Sequence, residues 1–234
     1  MDYSYLNNCN FFDLKKMAKD MGLNTKRSKV DYIFEIQKAF KEYENYKKKK
    51  IDKYTRIKQI GNKRKKGIIY TVADNKNNIF IMKTFKQNKS SNHIKLQYDI
   101  QKNASCYNIS PKVIEYDSVS KYIVMEKMDC HLLDVIQTQG DLTQSQQLRI
   151  LEIFKILDNI GIFHSNPSIN NYMIKDNKIY IIDFGSAIEI NENLIDLLGT
   201  NTPNTKIMTL KLINTLIELK LPASSWKYLS YFNK

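Results

Sequence analysis

The 234-residue chain is poor in cysteine, histidine, glycine and proline, and it has no long apolar run. Its three cysteines, Cys9, Cys106 and Cys130, are odd in number, far apart and never arranged as a CxxC pair. That argues against a disulfide framework or a structural zinc site and fits a reducing, intracellular compartment. His93, His131 and His164 are equally scattered, so no imidazole-based metal cluster is written in the spacing. No stretch approaches 18 consecutive apolar residues, and Met1 to Asn10 lacks the basic and apolar regions of a secretory signal. No membrane partner is expected.

What the chain does have is apolar bulk and positive charge. Hydrophobic residues make up 42%, with 15 Tyr and 10 Phe, enough to bury a sizeable core and to exclude disorder over the whole length. Lys and Arg number 37 against 24 Asp and Glu, a net charge of +13. Residues 1 to 70 carry 19 of those cations and 8 of the anions, whereas the rest of the chain carries 18 and 16. The basic character therefore belongs to the N-terminal third.

Two helical patterns open the chain. Leu14, Met17, Ala18 and Met21 recur three or four residues apart before Gly22, and Ser28 stands as an N-cap before Val30, Ile33, Phe34, Ala39 and Phe40. With Leu14, Lys15, Gly22, Leu23, Lys29 and Ile33 at matching positions, residues 1–46 resemble a SAP-type helix-loop-helix module. Such modules generally bind nucleic acid, so the resemblance gives Lys26, Arg27 and Lys29 a phosphate-contacting role through counterion release. A solvated helical hairpin with lysines on its outer face is the alternative. Residues 47–53 follow as a basic linker. Four consecutive cations, Lys47 to Lys50, cannot enter a core, so that run is a linker or an exposed helix end.

From Tyr54 the period changes. Thr55 to Ile60, Gly67 to Ala73 and Ile79 to Phe85 read as strands, the last two joined by a turn at Asp74 to Asn78. A helix is expected from about Asn92 to Tyr107, then strands at Lys112 to Asp117 and Tyr122 to Lys127. Beyond Leu142 the pattern turns helical, and a further hairpin, Tyr172 to Lys175 and Lys178 to Ile182, turns on Asp176-Asn177. Five strands interrupted by one helix, followed by a mostly helical part, predict a two-lobed α+β enzyme, with lobes at 54–128 and 129–234.

Asp183-Phe184-Gly185 follows the apolar strand Ile179 to Ile182, twelve residues after Asn171 and nineteen after His164. Upstream, Ile79-Phe80-Ile81-Met82-Lys83 places a lysine late in the third strand. Together these reproduce the protein-kinase arrangement of a third-strand Lys, His-x-Asp-x-x-x-x-Asn and Asp-Phe-Gly. Residues 54–234 resemble a small protein-kinase-like fold, most like the compact Ser/Thr kinases of large DNA viruses and the Bud32/RIO-like kinases. If the chain is viral, its place would be host cytoplasm, nucleus or virion. The resemblance implies ATP and Mg²⁺ as cofactors and a protein substrate or partner. It implies that Lys83 meets the nucleotide phosphates, that Asp183 and Asn171 bind Mg²⁺, that Met125 is the gatekeeper, and that the backbone of Glu126 and Met128 reads adenine.

Four departures bear on activity. Of the glycine-rich loop only Gly61 and Gly67 remain, with Lys63 to Lys66 between them. The helix after the third strand offers Gln97 where a glutamate should pair with Lys83; an amide can accept a hydrogen bond but gives up charge assistance. Asn166 stands where the catalytic-loop aspartate belongs, and an amide cannot take up the substrate's proton, a contribution of typically 10²–10⁴-fold. Only 49 residues follow Gly185, without Ala-Pro-Glu, so the C-terminal lobe is abbreviated. A kinase of reduced activity, a pseudokinase scaffold and a small-molecule phosphotransferase of the aminoglycoside-kinase kind all remain open.

Overall fold

A computed structural model describes residues 3–23, 28–51, 53–64 and 67–231. The chain divides into two compact units between Thr55 and Arg56. No helix among the described residues is long and apolar enough to cross a membrane.

The first unit is a helical pair. After a short 3-10 turn at Ser4–Asn8 come α1 (Phe11–Asp20) and α2 (Lys29–Ile51). Asn10 starts α1 by accepting a hydrogen bond from the Asp13 N–H at 2.9 Å, which satisfies one of the orphan donors of a helix start. Ser28 starts α2. Its N–H and Oγ both donate to Asp31 Oδ2 at 2.8 Å, and the Asp31 N–H returns to Ser28 Oγ, a capping box built with aspartate. Leu14 and Ala18 of α1 bury with Tyr32 and Ile36 of α2 and with Leu6, and Tyr3 stacks on Phe40. α2 continues through Lys47 to Lys50 to its end at Ile51. Lys26 and Arg27 lie outside the described residues. Lys29 donates its ammonium to the Asn7 carbonyl at 3.1 Å.

The second unit has a sheet lobe and a helical lobe. The sheet runs β1-β2-β3-β5-β4, from β1 (Tyr54–Arg64), β2 (Gly67–Asp74), β3 (Ile79–Thr84), β4 (Val113–Asp117) and β5 (Tyr122–Glu126). β3 pairs antiparallel with β2 and with β5, and β5 with β4. The Asp74 carboxylate closes the β2–β3 turn by accepting from the N–H groups of Lys76 and Asn78. Gly67 is required at the start of β2: with φ +148°, a β-carbon there would stand 2.1 Å from the Thr84 carbonyl oxygen.

Register decides which face the third-strand lysine takes. Lys83 opposes Ile123 and Ile81 opposes Met125. Opposed residues share a face, so Lys83 lies with Ile81, Phe85, Ile123 and Met125. That face is covered by α3 (Ser91–Cys106), whose Ile94 and Tyr98 join the same cluster.

The helical lobe packs α4 (Leu132–Gln139), α5 (Gln144–Asn159) and α7 (Thr209–Glu218) around Ile150, Phe154, Leu157, Leu212 and Leu216, all buried, with α6 (Glu192–Leu198) and α8 (Lys227–Ser230) at its edge. Burying each such side chain is worth roughly 1.5–3 kcal/mol. Two small sheets complete it: β6 (Cys130–His131), β8 (Tyr172–Lys175) and β9 (Lys178–Ile181) form one, and β7 (Ile162–Phe163) pairs with β10 (Ile188–Glu189). The fold is thus α+β and protein-kinase-like, with a sheet lobe and a helical lobe in the second unit and a helical pair as the first.

Candidate functional site

Lys83 and Asp183, a hundred residues apart in sequence, meet in the second unit. Lys83 Nζ donates to Asp183 Oδ1 at 2.8 Å, with the two side chains 13% and 29% exposed. The lysine arrives from the α3-covered face of β3, where its ammonium also lies 5.5 Å from the Phe85 ring centre. The aspartate arrives from the end of β9 in the left-handed conformation, φ 64° and ψ 63°. That is an uncommon state for a non-glycine residue, held by the structure on both sides of it.

Gln97 borders this pair. The point where a β-carbon would stand on Gly185 is 3.3 Å from Asp183 Oδ1 and 3.5 Å from Gln97 Oε1. Gln97 is 3% exposed, and its side-chain amide forms no hydrogen bond with any described residue. Lys83 therefore bonds the aspartate and not the amide.

The loop between β7 and β8 is anchored from below. The His164 ring is fully buried, meets Phe184 edge-on at 4.9 Å, and its Nε2 lies 3.0 Å from the Ile182 carbonyl. A carbonyl accepts only, so Nε2 carries a proton. Burial lowers its pKa from 6.5 to about 4. The His164 N–H donates to Asn204 Oδ1 at 3.0 Å, and Asn204 Nδ2 donates to the Ile162 carbonyl and to Asp158 Oδ1, both at 2.7 Å. Asp158, in the last turn of α5, also accepts from Asn204 N, Thr205 N and Thr205 Oγ1. Nothing in the sequence spacing marks Asn204 or Asp158, because the contacts span about forty residues and their residue types are ordinary in a helix end or loop.

Within that loop Asn166 and Asn171 are joined. Asn171 Nδ2 donates to the Asn166 carbonyl at 3.2 Å, which turns its Oδ1 the other way, and the Asn171 carbonyl accepts from the Ile182 N–H at 2.8 Å beside Asp183. Asn166 Oδ1 accepts from the Ser168 N–H at 3.3 Å. The loop thus holds Asn171 against the residues that lead from β9 to Asp183.

At the junction of the lobes, Met125 is 9% and Met128 4% exposed, and Gln101 Nε2 lies 3.5 Å from Met125 Sδ. The Glu126 carboxylate is engaged, through Oε1 by Lys175 Nζ and through Oε2 by the Lys112 N–H. The carboxylate raises the Lys175 pKa through that hydrogen bond. This pair ties the end of β5 to β8 and was not legible in the sequence. Gly61 has φ +68° and open space around it, whereas Gly67 sits against β3. The cations between them, Lys63 to Lys66, fall where the side chains are not described.

The residues present fit a nucleotide with a hard cation. Lys83 offers an ammonium for phosphate, while Asp183 and Asn171 offer oxygens. Among the described residues no group of three or more His, Cys, Asp or Glu stands together to hold a metal, so a cation at Asp183 needs oxygen ligands from elsewhere.

The fold is protein-kinase-like. Over 87 residues, 35% of its length, the chain is 26% identical to cyclin-dependent kinase F-3 of Oryza sativa subsp. japonica, and the match spans 20% of that kinase. The relationship is protein-kinase-like at that level. No protein-family model matches the chain.

Proposed function

We propose that the second unit binds ATP with Mg²⁺ and acts as a Ser/Thr protein kinase of reduced activity. The observation that carries this reading is the Lys83–Asp183 ion pair, which unites a third-strand ammonium with the aspartate after β9. In this reading Lys83 holds phosphate oxygens, Asp183 and Asn171 supply protein oxygens, and Met125, Glu126 and Met128 line the adenine side, with Gly61 and Gly67 in the strands above. Mg²⁺, when bound, neutralises charge on the phosphate oxygens. His164 and Asn204 keep the loop in place for Asn166 to face a substrate hydroxyl.

A specific observation favours a second reading, a pseudokinase that binds nucleotide as a scaffold. The side chain at the base position is an amide whose oxygen is occupied by the Ser168 N–H. It orients but does not accept a proton, so transfer loses roughly 10²–10⁴-fold. Melting curves with millimolar ATP and Mg²⁺ test nucleotide binding, since a ligand of the native state raises the midpoint by mass action. A rise in the wild type that is lost in Asp183→Ala supports the proposal, and an unmoved curve in both overturns it. Radiolabel transfer to the protein and to a basic substrate then separates weak kinase from scaffold.

The first unit is proposed to be a SAP-like nucleic-acid contact, supported by the cation excess of the N-terminal third. Replacing Lys26, Arg27 and Lys29 together by alanine should weaken low-salt binding to nucleic acid and flatten its salt dependence. Equal affinity in both proteins would remove the assignment.

A further inference from the structure

Of the cations in the first unit, Lys29 already has its ammonium on the Asn7 carbonyl. Lys15, Lys16 and Lys19 of α1 are exposed, and their side chains make no hydrogen bond or ion pair among the described residues. They follow Phe12 by three, four and seven residues, so the four side chains share one face of the helix. Leu14 and Ala18, buried against α2, mark the opposite face. With a rise of 1.5 Å per residue, Lys15 and Lys16 stand ~5 Å and Lys19 ~10 Å along the axis from Phe12. The two carboxylates of α1, Asp13 and Asp20, lie together on one flank, which leaves the centre of this face to the lysines. Phe12 itself is 75% exposed, more than any other aromatic residue described in the unit.

We propose that this outer face of α1 docks single-stranded nucleic acid, with Phe12 as the platform on which a base stacks and Lys15, Lys16 and Lys19 as the phosphate contacts. The proposal rests on the nucleic-acid reading of the first unit and names the strand type and the residues. Lysines alone suit any polyanion. A bare ring beside them gains nothing from phosphate and needs a flat apolar surface, which an unpaired base supplies next to its own phosphate. In a duplex the bases stack on one another, and a ring enters only where a step is unstacked at a cost. A membrane surface fits this face less well, because an interfacial helix presents a broad apolar face to the acyl chains and here one ring stands among three lysines.

The test is fluorescence anisotropy on the full chain with two labelled probes, an oligothymidylate of about 20 nucleotides and a hairpin duplex with the same number of phosphates. Phe12→Ala should weaken the single strand roughly tenfold, within the range for a base stacked on an aromatic ring, and leave the duplex affinity and the salt slope unchanged. Phe12→Trp should restore the single strand. Replacing Lys15, Lys16 and Lys19 together by alanine should reduce the single-strand salt slope by roughly two. Circular dichroism checks that each variant keeps its helix content, and the exposure of all four side chains spares the core. Single-strand affinity untouched by Phe12→Ala, an equal loss on both probes, or an unchanged slope in the lysine variant overturns the proposal alone. No binding of either probe by the wild type overturns the nucleic-acid reading and this proposal with it. In a parallel arm the wild type and Phe12→Ala meet phosphatidylcholine–phosphatidylserine vesicles. Binding to vesicles that needs Phe12, with strand binding that does not, makes a membrane the occupant and overturns the proposal.

Discussion

Acidification is expected to cost the protein stability at one identifiable group, His164. Burial holds its folded pKa at about 4, against 6.5 for the exposed ring. Between those values the unfolded chain carries the proton and the folded chain does not, so lowering the pH favours unfolding. The contribution is fully present above pH 6.5 and lost progressively toward pH 4, where the loss amounts to about 3 kcal/mol. Set against a usual total of 5–15 kcal/mol, that is a large fraction. Replacement of His164 by glutamine isolates it, because the amide does not titrate and can still donate toward the Ile182 carbonyl. Urea unfolding of both proteins at pH 7, 6, 5 and 4 gives the stability difference at each pH, and carboxylates common to both cancel. Wild type minus variant should fall by about 3 kcal/mol from pH 7 to pH 4. A difference that stays flat would refute the reasoning, since it would place a freely titrating imidazole at position 164.

Three further outcomes are expected. Gly67→Ala should destabilise the sheet lobe by more than 1 kcal/mol, because its β-carbon collides with the Thr84 carbonyl and strand β2 has to shift; unchanged urea midpoints would contradict the close approach. Asp158→Ala strips the acceptor from four hydrogen bonds to Asn204 and Thr205 and should cost on the order of 3 kcal/mol, with a loss of less than 1 kcal/mol counting against the anchor. Asn166→Asp should raise phosphotransfer from radiolabelled ATP roughly 10²-fold or more if the rest of the loop is assembled. Paired with Gln97→Glu it tests whether position 97 limits the rate first, and a silent double variant that still binds ATP would favour the scaffold.

The order of strands and helices was legible because alternation and three-to-four spacing are local properties of the chain. Tyr122 to Lys127 reads as a strand from its apolar run, and α5 is signalled beyond Leu142 by Leu148, Leu151 and Phe154. Spacing also marked Lys83, Asn166, Asn171 and Asp183 as one group, since a protein-kinase-like pattern is carried by intervals along the chain. Intervals do not say which charges meet. The sequence offers Gln97 as a hydrogen-bond acceptor for Lys83, and the ammonium goes instead to Asp183, because β3 register and the left-handed turn at residue 183 put the stronger acceptor within 2.8 Å. Asn204, Asp158 and the Glu126–Lys175 pair left no mark, since each joins elements far apart in sequence through side chains of common type. What residues 54–234 resemble was written in the order of their residues; which oxygen the lysine holds, and what supports the loop around Asn166, was decided only when packing brought α3, α5 and the turn at Asn204 to their places, because contact energies depend on distances that sequence separation does not fix.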